Sequence, residues 1–342
     1  MFRKPFLASE PAFIQLIVFA GVFGVTMLIA LFIGYAAVSM GFGVNFALNP
    51  DSINNYSDPN NVRALKVLQL ITSLSMFVLA PIAFSRLVSR SPLQFLGIKA
   101  ATSPYQLLVT FLLMALALPM INAMAELNRG MVLPDALQWL EAMMQTAEEK
   151  AADLTEAFLK METVGDLLFN LFMVAVIPAV GEELVFRGVI QRLTSKLTRN
   201  VHAGIWISAI LFSAIHGQFY GFFPRMFLGA IFGYLFVWSG SLWLPILAHF
   251  TNNGLAVVLS FAIQNQEVDP TVEQVGAGES DWGIAVVRFV LTCLGLLVIH
   301  RRRQPEFAAL HAGPTHGPKD TKPPPHTLEE APYGRSFPGV EA

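Results

Sequence analysis

The sequence is short of charge. Asp, Glu, Lys and Arg make up 13% of its 342 residues, against roughly 25% in an ordinary soluble domain. A deficit of that size points to a membrane before any segment is drawn. Thiols are almost absent too. The single cysteine, Cys293, lies in an apolar stretch, so an intrachain disulfide and a Cys-based zinc ribbon are both excluded. No extended basic run suggests a nucleic-acid partner, and a net charge of −2 is uninformative about others. No internal repeat is visible.

What the chain does have is apolar length. Hydrophobic residues make up 54% of it, and a spanning helix needs ~20 mostly apolar residues. Eight segments are candidates: 13–40, 67–88, 104–125, 164–193, 203–216, 222–238, 242–263 and 282–300. The fifth and sixth are short. The first follows Arg3 and Lys4 and exceeds the ~7–15 apolar residues of a signal-peptide core, so it is expected to be retained as a helix. The expected fold is an all-α polytopic integral membrane protein with about eight transmembrane helices. Lys and Arg concentrate on the cytoplasmic side of such proteins. With a cytoplasmic N-terminus, Arg86, Arg90 and Lys99, then Arg192, Lys196 and Arg199, then Arg301, Arg302 and Arg303 all fall inside. The loop carrying Glu267, Asp269, Glu273, Glu279 and Asp281 has no Lys or Arg and falls outside. Both termini are then cytoplasmic, and a bacterial source would place the protein in the inner membrane.

Composition divides the chain further. Residues 1–133 hold the first three spans, 164–264 a polar-studded membrane core, and 265–303 an outer loop with the last span. Between them, 134–163 carries Leu137, Leu140, Met144, Ala147, Ala151, Leu154 and Phe158 at alternating three and four spacing. That is one stripe of an amphipathic helix, with Glu141, Glu148, Glu149, Asp153 and Glu156 on the other face. It reads as a helix lying on the bundle or, more sharply, as a lid. The tail 304–342 is rich in Pro, Gly and charge and cannot bury a core.

Ionisable side chains in mid-bilayer are costly, by ~2.5–3.5 kcal/mol on insertion scales, and they cluster in three of the spans. The first cluster holds Glu182, Glu183 and Arg187. Glu183 and Arg187, four apart, meet on one face and can pair, whereas Glu182 projects about 100° away as the free carboxylate. Pro178 lies four residues earlier and removes a backbone hydrogen bond. The second cluster is Phe212 and His216. The third is His249 and Asn253, one turn apart on a shared face. Two donors on one face can aim at one oxygen, as an oxyanion hole requires, or can simply tie neighbouring helices together. At 1.5 Å per residue, Glu182 and His216 each sit ~21 Å along their helices from Lys196 and His202, and His249 and Asn253 ~12–18 Å from Ser241. All four can therefore reach one level.

These residues resemble the CAAX-protease and bacteriocin-processing family of intramembrane endopeptidases. The Glu-Glu-x-x-x-Arg motif matches Glu182, Glu183 and Arg187; Phe-x-x-x-His matches Phe212 and His216; His-x-x-x-Asn matches His249 and Asn253. Gly229 and Gly233 form the Gly-x-x-x-Gly pair between the last two motifs. The resemblance covers about residues 164–264. It implies a glutamate-dependent peptide hydrolase in which Glu182 activates water with His216 while His249 and Asn253 hold the oxyanion. It also implies a metal-free site without a cofactor. A His-Glu-x-x-His zinc motif is absent from the sequence. The implied partners are a peptide or membrane-protein substrate and the lipid bilayer. Two other readings stay open: a transporter or proton pathway, since buried Glu, His and Arg mark those as well, and a non-catalytic, immunity-like binding protein.

Overall fold

The computed structural model describes residues 5–98, 102–275 and 282–302. The tail expected at 304–342 lies outside them, as do Lys99, Glu279, Asp281 and Arg303. The described residues form helices and turns without a strand. In chain order the helices are α1 Ala12–Phe42, α2 Pro59–Val88, α3 Pro104–Arg129, α4 Gln138–Leu159, α5 Val164–Thr198, α6 Val201–Ala214, α7 Phe222–Ser239, α8 Trp243–Gln264 and α9 Trp282–Arg301.

Seven helices among the described residues are long and apolar enough to cross a bilayer, and the chain is an all-α polytopic membrane protein. α6, expected as a span, has 14 residues and covers ~21 Å, short of a hydrocarbon core of ~30 Å. Phe223 N–H donates to Asn128 Oδ1 at 2.9 Å, which places the start of α7 beside the end of α3. The opposite end of the bundle gathers Leu7, bonded to Leu87 O, with Ile98 O, bonded to the Trp243 indole. Arg302 stacks over Tyr105 at that same end, 4.3 Å from the ring centroid.

Two of the long helices are not regular. α2 contains a π-helical turn at Leu74–Leu79, and α5 contains two, at Leu171–Val176 and Phe186–Gln191. Such turns widen the helix and loosen its backbone ladder, and they recur at functional sites. The two in α5 flank Glu182 and Glu183. Close approach is secured by glycine where helices meet. A Cβ at Gly181 would lie 2.6 Å from Phe77 Cβ in α2, and one at Gly233 would lie 2.7 Å from Gln191 Oε1 and 2.8 Å from Ile205 Cγ2.

The amphipathic segment folds as α4, preceded by a short turn at Asp135–Leu137. None of its residues is buried. Leu154 and Phe158, from the apolar stripe, pack on the cluster of Val38, Phe46, Ala64 and Leu65. Its C-terminal end is tied down. Phe158 O accepts from Asn170 Nδ2 at 2.8 Å, Leu159 O accepts from Gln264 Nε2 at 2.9 Å, and Lys66 Nζ donates to Asn170 Oδ1 at 3.2 Å. Thr163 and Asp166 then form a capping box that opens α5.

Candidate active site

α5 carries the core of the site. Glu183 and Arg187 are both fully buried and pair through Oε1 and Nη1 at 2.8 Å. The same guanidinium donates from Nη2 to Gly229 O at 2.8 Å. One turn on, Gln191 Nε2 donates to Gly233 O at 3.1 Å. The Gly-x-x-x-Gly pair thus lets α7 come close enough for its carbonyls to receive α5 side chains. The rings of Phe212 and Phe232 cover the Arg187 cation, with centroids 4.8 and 5.3 Å from Cζ.

His249, on α8, sits between the two glutamates. Its Nδ1 is 2.9 Å from Glu183 Oε1, and its Nε2 is 3.9 Å from Glu182 Oε2. A carboxylate already bonded to Arg187 accepts, so Nδ1 carries the hydrogen. Nε2 is then an acceptor in the neutral ring and a donor only in the imidazolium. The ring stacks on Phe232 at 5.3 Å and meets Phe212 edge-on at 5.9 Å. Glu182 is 14% exposed, unlike the sealed Glu183, so the expected division into a paired and a reachable carboxylate is present in the geometry.

His216 follows α6 and is half-buried. Its Nδ1 lies 2.8 Å from Phe212 O. A carbonyl can only accept, so Nδ1 carries the hydrogen and Nε2 presents a lone pair. Phe212 therefore orients His216 through its carbonyl while its ring packs on His216, His249 and Arg187.

Asn253 has two neighbours. Its Nδ2 donates to Val174 O at 3.0 Å, and its Oδ1 accepts from Asn252 Nδ2 at 3.1 Å. Val174 is four residues before Pro178, and proline has no N–H to return to that carbonyl. Asn253 supplies the missing donor across the helix interface. One of its two amide hydrogens is used this way, leaving the other.

Glu182, His216, His249 and Asn253 line one cavity of about 750 Å³, with Pro178, Phe212 and Val174. Its outer wall includes Ala151, Leu154, Thr155, Phe158 and Leu159 of α4, so that helix covers the cavity as well as the bundle. Among the described residues, no group of three or more His, Cys, Asp or Glu side chains is placed to hold a metal ion.

The expectation that ionisable groups cluster in three spans was too narrow. Arg225 in α7 lines the same cavity, and Lys66 in α2 sits 5.8 Å from the ring centroids of Phe158 and Phe169. Arg225 lies within the expected span 222–238, so the rule that drew notice to Glu182, an ionisable residue in a span, reaches it too; Lys66 lies one residue before the expected span 67–88. Gln218 and Asn252 also line the cavity and carry no sequence signal apart from polarity.

Comparison with known proteins bears on the same stretch. Residues 164–255 match the family described as type II CAAX prenyl endopeptidase Rce1-like. A curated protein of Bacillus subtilis (strain 168), named "Uncharacterized protein YpbD", is 27% identical over 85 residues, which is 24% of this chain and 40% of that protein. The chain thus spans less than half the length of that relative. No solved structure matches. The matched segment is the one that holds Glu182, His216, His249 and Asn253.

Proposed function

We propose that this protein is an intramembrane endopeptidase of the glutamate-dependent type, acting on peptides or membrane proteins from within the bilayer. The observation that carries the reading is the convergence of four polar side chains from two helices and one loop on a single cavity. His249 there stands between a sealed ion pair and an accessible carboxylate.

In this reading Glu182 takes a proton from a water in the cavity, and the Nε2 lone pair of His216 helps to polarise that water. The oxygen attacks the scissile carbonyl carbon, the C=O π pair moves to its oxygen, and a tetrahedral oxyanion forms. His249 as imidazolium donates from Nε2, held in place by the Nδ1–H bond to Glu183, and its positive charge faces the oxyanion. Asn253 adds its remaining N–H. Collapse breaks the C–N bond, and the proton held by Glu182 passes to the leaving amine. Preorganised donors of this kind are worth the most in a site shielded from water, which α4 supports by covering the cavity. The site needs no metal in this scheme. The bundle end that carries Arg86 and Arg302 is assigned to the cytoplasmic side by the distribution of Lys and Arg.

The test is hydrolysis of a labelled peptide library by purified protein in detergent, compared with Glu182→Gln. A positioned general base contributes ~10²–10⁴-fold in rate, so the variant should lose activity by that factor while retaining its melting profile. Near-normal cleavage by a well-folded Glu182→Gln protein would falsify the assignment. Release of no peptide by the parent protein, with coupled ion or solute movement in vesicles, would favour a transport pathway.

A further inference from the structure

We propose that Arg225 is the receptor for a carboxylate of the bound substrate, and that Glu148 on the covering helix α4 is the carboxylate that a substrate displaces. The inference rests on the proposed peptidase reading for the word substrate, but its geometry is independent of Glu182 and His249.

Arg225 stands in the first turn of α7 and lines the cavity together with Glu182 and His216. Its backbone N–H is already used, bonded to Gly221 O. The side chain is only half used. Nη2 donates to Gln218 Oε1 at 2.9 Å, while Nη1 is buried and has no hydrogen-bond partner. On the other side of Gln218 the situation is mirrored. Gln218 Nε2 donates to Glu148 Oε1 at 3.4 Å, a long bond, and Glu148 Oε2 is buried without a partner. A cation and an anion therefore face a neutral amide between them, each with one orphaned atom.

That arrangement is weak where it could be strong. Buried charges are normally met by direct, charge-assisted bonds, as Arg187 and Glu183 are in the same protein. A guanidinium presents paired donors that match a carboxylate in two parallel bonds. The amide of Gln218 satisfies only one of them. Gly221 keeps space beside the fork, since a Cβ there would lie 2.8 Å from Arg225 Nη2. A carboxylate entering the cavity can engage Nη1 directly and release Gln218 and Glu148, which loosens α4 at its Glu148 end. The C-terminal end stays pinned by Asn170 and Gln264. The preferred peptide then carries a free C-terminal carboxylate, or an acidic side chain, within cavity reach of the bond that Glu182 attacks.

The experiment measures binding by fluorescence anisotropy, in parallel with cleavage. The probes are a short fluorescein-labelled Leu/Ala-rich peptide with a free C-terminal carboxylate, its C-terminal amide, and the amide carrying one internal Asp. The free acid should bind roughly ten- to a hundredfold more tightly than the amide to the unaltered protein, the range expected for a charge-assisted bond. Arg225→Gln should remove that ratio, and Glu148→Gln should increase it by removing the competing carboxylate. If the Asp-containing amide binds as the free acid does, the site reads acidic side chains; if it binds as the plain amide does, the site reads chain ends. Either result supports the carboxylate receptor. Equal binding of all three peptides to the unaltered protein overturns the inference, and that comparison needs no variant to fold. A ratio that survives in folded Arg225→Gln overturns it as well. Cleavage separates the two proposals. Acid-selective binding without hydrolysis would refute the peptidase reading and leave the receptor standing, whereas hydrolysis with unselective binding would do the reverse.

Discussion

Replacing Asn253 by Ala removes two things, and a second substitution separates them. The first is the donor to Val174 O, at 3.0 Å. Leaving that carbonyl without a partner costs about 1–3 kcal/mol of stability. The second is the remaining amide hydrogen, which the proposed mechanism directs at the oxyanion; losing one such donor costs about 10²–10³-fold in turnover. Pro178→Ala supplies an N–H four residues after Val174, which reaches the same carbonyl once the π-helical turn at Leu171–Val176 relaxes to a regular ladder. The double variant Asn253→Ala with Pro178→Ala should therefore recover most of the lost stability and none of the lost turnover. The assay is thermal unfolding and steady-state cleavage on the same preparation, with activity expressed per folded molecule. The single variant should show a lower Tm and a reduced kcat with KM little changed, because an oxyanion donor acts in the transition state. If activity returns together with stability in the double variant, Asn253 serves only to hold α8 against α5, and the oxyanion assignment is refuted.

Arg187→Ala should lower stability by about 3–5 kcal/mol, since it strands the buried Glu183, and activity should fall with it because Glu183, the partner that holds His249, loses its own anchor; wild-type melting by Arg187→Ala would refute the pairing argument. Gly233→Ala should destabilise by about 1–3 kcal/mol, as its Cβ meets Gln191 Oε1 and Ile205 Cγ2 inside contact distance, and an unchanged Tm would show that α7 can move away freely. Cleavage should survive exhaustive chelation; loss of activity restored by zinc alone would recast Glu182, His216 and His249 as ligands.

Much of this protein is written in local pattern. Apolar run length decided that the chain lives in a membrane and located its long helices, because a bilayer sets one length for every span. The three-and-four spacing of Leu154 and Phe158 identified α4 and its inward stripe. Helical periodicity also placed Glu183 on Arg187 and left Glu182 apart, since those relations lie within single turns of one helix. Relations between helices were beyond it. Nothing in the spacing of His249 and Asn253 told that the ring would bridge Glu183 and Glu182, or that Asn253 would answer the carbonyl Pro178 leaves bare. The π-helical turns that flank the glutamates were equally silent, since they come from packing rather than from any residue type. Arg225 was passed over because its partners, Gln218 and Glu148, lie on a loop and on a helix 70 residues from that loop in sequence. Periodicity fixes what one helix shows to its surroundings; which atoms answer across the gap is decided only when the helices pack, because a hydrogen bond requires a match within a few tenths of an ångström.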